Sequence, residues 1–287
     1  MGRRVPKWTQ KKLDERIAQG YGQGRGKAYK PWLHLGDISS KGVTTRMWSP
    51  KTERMHTFFS NVEKCAFLVA EFRPDFEDYL EQVPMEREIT LDVARKLRMS
   101  HPRYWGTKIV AVLTNDGLLF TSGKPPQLID CKHSMTEETR RVKEHYALRH
   151  EYALRKGFSI RHVTDASYPW QLIHNLQWIR MSVLQRNYMR TPEYEIEVCC
   201  TRLFNELENA IEGSSRQPLR EFLSEHDTRR GYAPGLSVFA MRRLMWFHHL
   251  SFDTTVYFHL ILRGPVSALS THAPEPFELP EVEYEQA

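Results

Sequence analysis

Residues 107–132 hold three short apolar runs, "KIVAVLT", "GLLFTS" and "QLIDCK", each closed by turn residues, Asn-Asp-Gly after the first and Gly-Lys-Pro-Pro after the second. Runs this short and this punctuated read as strands. Helices flank them. Ser60 and Glu63 form an S-x-x-E capping box that opens a helix, with Phe67, Leu68 and Phe72 carrying an apolar face. "DFEDYLEQVPM" follows as an extended segment closed by Pro84, and 86–100 is a helix with acids early and bases late, the order its dipole favours. After the strands, "MTEETRRVKEHYALRHEYALRKG" is a helix ended by Gly157, and "FSIRHVT" is one more strand. Helix, strands, helix and strand in that order predict one α/β domain over 60–167.

Beyond Asp165 the pattern turns helical. "YPWQLIHNLQWIRMSVL" is one helix, and "PEYEIEVCCTRLFNELENAIEG" is another, with Thr191 as cap, Pro192 at its first position and Gly213 past its end. "PLREFL" and "GLSVFAMRRLMWFHHL" add two more, and "TTVYFHLIL" reads as a strand. Helices followed by a strand fit a winged-helix-like unit over 168–265, although most sets of this kind are plain helical packing. Residues 266–287 end in "APEPFELPEVEYEQA", with five glutamates and no base, and read as a disordered acidic tail.

The formal charge of +6 is unevenly spread. Residues 1–30 carry nine lysines and arginines against Asp14 and Glu15, so 1–59 reads as a basic arm and an entry segment to the α/β domain. Such an arm suits a polyanion, which attracts bases regardless of sequence, although a solvated charged surface has the same composition. "GYGQGRGK" at 20–27 is not a phosphate loop. Tyr21 stands where the first glycine is needed, and Ala28 replaces the metal-binding hydroxyl. The expectation there is a flexible arm laid on a partner.

The cysteines, at 65, 131, 199 and 200, form no C-x-x-C pair, which argues against structural zinc and suits a reducing compartment. No run reaches the ~20 apolar residues of a membrane span, and "MGRRVPKWTQKKLDER" lacks a signal peptide's apolar centre. A soluble cytoplasmic protein is expected.

The chemistry-bearing residues lie at the strand ends. Pairing 118–122 with 127–132 about Gly123 sets Asp116 opposite Asp130, and alternation puts Asp130 and Lys132 on one face. Two carboxylates that close raise each other's pKa unless a cation intervenes. Oxygen ligands of that kind suit Mg²⁺, with Mn²⁺ as a substitute, and a lysine beside them can orient water or stabilise charge on phosphorus. Plainer readings remain open at this point. Asp116 can be a turn residue, Asp130 and Lys132 a surface pair, and Glu63 only the end of its capping box.

The order of a helical glutamate, Glu63, then Asp116, then Asp130-Cys131-Lys132 resembles the restriction-endonuclease-like nucleases. "GYGQGRGKAYKPWL", "RMWSPKTERMHTFFSNVEKCAFLVAEF", "YLEQVP" and "FSIRHVTD" resemble the TnsA family, over about residues 15–165. That resemblance implies a DNA endonuclease cutting the 5′ strands at transposon ends during cut-and-paste transposition, beside a DDE transposase (TnsB) and an AAA+ regulator (TnsC). It implies Mg²⁺ held by Glu63, Asp116, Asp130 and the Cys131 carbonyl, with Lys132 catalytic. Family members often carry glutamine where this chain has Asp130. The C-terminal domain would meet the partner proteins in a bacterial cytoplasm. The rival reading is a catalytically silent DNA-bound adaptor bridging transposase and regulator. His248-His249 is expected to have a structural or surface role, Glu71 can support the site or merely end its helix, and Trp170, Trp178 and Trp246 are expected in the core.

Overall fold

The computed structural model describes residues 8–37, 43–135, 139–185, 188 and 190–271. The described residues divide into two compact units, the first covering 8–71 and 75–167, the second 72–74 and 168–271. Residues 1–7 of the basic front and 272–287 of the acidic tail lie outside the described residues.

The first unit begins with α1 (Gln10–Ala18), whose cap residue Thr9 accepts the Lys12 amide. Trp8, Leu13 and Trp32 form a small buried cluster, with Trp8 stacked on Tyr104 at 4.7 Å between rings. The glycine stretch is not a loose arm. Gly26 N donates to Asp78 at 2.8 Å, the Tyr29 hydroxyl donates to the Glu81 carbonyl at 3.0 Å, and Trp32 N to the Gln82 carbonyl at 3.3 Å. Left-handed glycines (Gly24 at φ 87° and Gly26 at φ 51°) let the chain turn onto residues 78–82, a conformation other residues adopt at a cost.

Strands β1 (Thr45–Ser49) and β2 (Arg54–Phe58) form an antiparallel hairpin that sequence pattern did not announce. A buried network fastens it down: Arg54 donates to Glu81 at 2.8 and 2.6 Å, and His56 Nδ1 lies 2.9 Å from the same carboxylate. Burial opposes ionisation of Glu81, yet its hydrogen bonds to His56 and Arg54 hold its pKa down at about 2. Burial also lowers the His56 pKa, so that contact is a hydrogen bond from a neutral ring rather than a second ion pair.

Then come α2 (Asn61–Phe72), β3 (Phe76–Pro84), α3 (Arg87–Lys96), β4 (Thr114–Thr121), β5 (Gln127–Cys131), α4 (Arg140–Lys156) and β6 (Ser159–Val163). The sheet runs β3-β4-β5-β6. Its first three strands are antiparallel, and β6 returns parallel to β5 through the α4 crossover, as a parallel pair requires. Leu80, Leu118 and Leu128 from the strands bury against Leu148 and Tyr152 of α4. Gly117 is fixed by packing, because a Cβ there would collide with the Tyr79 hydroxyl.

Two strand expectations fail in this unit, and both failures have a local cause. Residues 108–113 form no strand beyond an Arg103–Val110 bridge, because their backbone is spent on a tight turn: Tyr104 N donates to Ile109 O, and Thr107 N to Tyr104 O. Asn115-Asp116-Gly117 is not a turn either. It lies inside β4, and the reversal falls after Thr121.

In the second unit α5 (Trp170–Leu184), α6 (Glu193–Glu212), α7 (Leu219–Arg230), α8 (Leu236–Trp246) and the short α9 (Phe258–Ile261) surround one apolar core. Ile196, Cys199, Leu203 and Leu207 of α6 are fully buried at helical spacing. Thr191 does not cap α6; the cap position is Pro192, with no side-chain bond. Nor is "TTVYFHLIL" a strand. The Asn175 side chain donates to the Thr254 and Val256 carbonyls and accepts from Phe258 N, which takes up the groups a ladder would need. Among the described residues this unit therefore has no wing strand. Trp246 is core and Trp178 half-buried, whereas Trp170 is 60% exposed. No described helix is long and apolar enough to cross a membrane.

Candidate active site

The β4–β5 ladder stops at Gly117–Ile129, and the strands fork there. One residue further, the Cys131 amide donates to the Asp116 carboxylate at 2.7 Å. Register continues Asp116 toward Asp130, as the hairpin geometry predicts. Asp116 carries a raised pKa, first from burial and then from the Asp130 charge, opposed by Lys132 and Arg149.

Glu63 comes to the same fork from the first turn of α2. Ser60 Oγ donates to Oε1 at 2.8 Å, and Phe59 N and Gln82 Nε2 each donate to Oε2 at 3.1 Å. Its own amide donates to Ser60 Oγ, so the capping role is real. The role does not exhaust the residue: burial, then the charge of Asp116, pushes Glu63 up to about 7. Two crowded carboxylates whose pKa values are raised are a chemical environment that a nearby positive charge would relieve.

Asp130 behaves differently. It is fully buried, and His162 Nδ1 lies 3.2 Å from Oδ2 while Arg149 Nε lies 3.3 Å from Oδ1. Burial alone would raise its pKa, but the His162 bond and the Arg149 and Lys132 charges hold it below the usual carboxylate range. Lys132 has its amide on the Val163 carbonyl at 2.9 Å. Its ammonium makes no hydrogen bond or ion pair among the described residues, and it lowers the pKa of both Asp116 and Asp130. Cys131 is a buried free thiol whose pKa burial, and then the nearby acids, drive well upward, so it is no nucleophile.

The fold thus gathers Glu63, Asp116 and Lys132 about one fork, with Asp130 adjoining but engaged by α4 and β6. Among the described residues no three His, Cys, Asp or Glu side chains form a ready-made metal cage. Two carboxylates and a main-chain carbonyl do fit Mg²⁺, which binds through one or two carboxylates and keeps its waters. Sequence reasoning missed Gln82, Arg149 and His162. Strand pairing alone carried a signal for one of them, since His162 stands opposite Asp130 in the β5–β6 register.

Residues 169–254 match the family described as "TnsA endonuclease C terminal". The chain is also 29% identical, over 184 residues, to the transposon Tn7 transposition protein TnsA of Escherichia coli, a match covering 60% of this chain and 63% of that protein. The matched stretch is thus less than two thirds of the relative's length. Both similarities are to TnsA proteins of transposons, one over the C-terminal part of the chain and one over a longer stretch.

Proposed function

We propose that this protein is a Mg²⁺-dependent DNA endonuclease that cuts the 5′ strands at transposon ends. In this reading it works with a TnsB-type transposase and a TnsC-type AAA+ regulator, and its first unit has a restriction-endonuclease-like fold. The observation that carries the reading is the fork itself: Glu63 and Asp116, both with raised pKa values, share it with a lysine whose ammonium bonds to no other side chain among the described residues. The antiparallel β3-β4-β5 meander and the α4 crossover to a parallel β6 support the fold assignment.

Glu63, Asp116 and the Cys131 carbonyl would hold the ion. When bound, Mg²⁺ supplies Lewis-acid polarisation of a phosphodiester oxygen and a more acidic water. Lys132 would offset the negative charge that builds on phosphorus as water adds and the P–O bond to the leaving strand breaks. Asp130 adjoins these groups, with the Arg149 charge beside Oδ1 and His162 bonded to Oδ2, and it sets the charge around Lys132.

Support for a DNA substrate comes from the basic charge balance and from Trp105. That residue is 97% exposed at the tip of a turn, between exposed Arg103 and Lys108. Arg103 donates to the Lys108 carbonyl at 3.0 Å, so the turn is held shut beneath the indole. Aromatic and basic groups side by side suit nucleic-acid stacking and phosphate contact.

The test is strand cleavage of transposon-end DNA with the partner transposase and Mg²⁺. Wild type cuts the 5′ strands, whereas Asp116→Ala and Lys132→Ala lose cutting by a hundredfold or more. Normal cutting by both variants would refute the site. A wild type that never cuts yet supports assembly would be the adaptor, and cutting without any partner would point to a stand-alone nuclease.

A further inference from the structure

Strand β3 breaks its own alternation at Gln82. Successive side chains of a strand point to opposite faces, so residues three apart belong on different sides. Leu80 and Val83 nevertheless both pack into the α4-facing core. The pairing register with β4 does not slip there, since Glu81 lies opposite Gly117 and Val83 opposite Asn115, which sets Gln82 opposite Asp116. The break is in the backbone of Gln82, which is left-handed at φ 50°.

Its consequence is that two neighbouring side chains serve neighbouring tasks. Glu81 turns to Arg54 and His56, and Gln82, only 3% exposed, reaches Glu63 with its carboxamide at 3.1 Å. Glutamine has no special tolerance for this conformation, and strain of that kind persists where the surroundings enforce it. Here the Trp32 amide, donating to the Gln82 carbonyl at 3.3 Å, is one of the enforcing contacts.

Counting lone pairs sharpens the point. A carboxylate has about four acceptor positions, two on each oxygen. Phe59 N and Gln82 Nε2 take both on Glu63 Oε2, and Ser60 Oγ takes one on Oε1. One position is left, on Oε1. The geometry points to Gln82 as a positioning residue of the cleavage site: its strained backbone delivers a donor that closes Oε2 and leaves Glu63 to address a divalent ion through Oε1 alone. The inference rests on the metal-dependent reading above and adds a residue to it.

The test is calorimetric titration of Mn²⁺ into the apo, full-length protein, with the melting temperature measured in EDTA. Gln82→Gly removes the amide and also the left-handed strain, and Gln82→Asn keeps an amide one methylene too short. Both variants should bind Mn²⁺ about tenfold more weakly or worse, the usual cost of losing a group that orients a ligand. Gln82→Gly should melt in EDTA no lower than wild type by more than a few degrees. If whichever variant folds binds Mn²⁺ within about twofold of wild type, Gln82 is only a packing residue and the inference is overturned. If wild type binds no Mn²⁺ at all, the metal reading beneath it falls as well, and that arm separates the two failures.

Discussion

Arg149 neutralises Asp130 without hydrogen-bonding to it: Nε lies 3.3 Å from Asp130 Oδ1 but donates to Asn115 Oδ1 at 3.1 Å. Asp130 Oδ1 is accordingly buried without a hydrogen bond, although the guanidinium charge stands beside it. One arginine on α4 therefore holds β4, through Asn115 and the Thr114 carbonyl, and the acid on β5 at the mouth of the fork.

Removing that arginine should expose the cost of the buried acid. Arg149→Met leaves a fully buried carboxylate with His162 and Lys132 as its remaining counterweights, a change worth about 3 kcal/mol of stability at pH 7. Because the folded pKa of Asp130 is lowered, its stabilising contribution is present above the unfolded pKa and fades as pH falls through the folded one. Adding Asp130→Asn to Arg149→Met should recover part of the loss. Urea midpoints at pH 7 for the two singles and the double measure it, and full additivity would mean that the two residues do not interact.

Glu63 makes the opposite prediction. Its folded pKa is raised to about 7, so between the unfolded value and 7 the folded state binds more protons. Stability of the metal-free protein should fall as pH rises from about 4.5 to 7 on account of this group, by roughly 3 kcal/mol for a shift of that size. A cation bound at the fork would offset the penalty. Mg²⁺ should therefore raise the melting temperature more at pH 7.5 than at pH 5.5, and Glu63→Gln should lose that difference. An equal Mg²⁺ effect at both pH values would contradict it.

Trp105→Ala should weaken duplex binding about tenfold, with the melting temperature unchanged because the indole is 97% exposed. Arg103→Ala with Lys108→Ala should instead flatten the salt dependence of binding. Fluorescence anisotropy at two salt concentrations reads both effects.

Much of this was legible from spacing, and the exceptions share a cause. Ser60 and Glu63 declare a helix start because capping is local chemistry. The β4–β5 register follows from a turn and alternation, which set Asp116 beside Asp130. Where a side chain competes for backbone groups, pattern fails. Asn175 turns an apolar run into a short helix, and the bonds of the Tyr104–Ile109 turn cancel a strand. Gln82 and Arg149 were illegible for a different reason. One depends on a left-handed φ in mid-strand and the other on a helix packing across the sheet, and neither leaves a period in the sequence.

Anomalous diffraction from crystals soaked in Mn²⁺ tests directly whether a divalent ion binds at the β4–β5 fork. The predicted result is a peak within about 2.3 Å of a Glu63 oxygen, an Asp116 oxygen and the Cys131 carbonyl, weakened or lost in Asp116→Ala. A peak bound elsewhere, or none in a crystal whose fork stands open to solvent, would contradict the account.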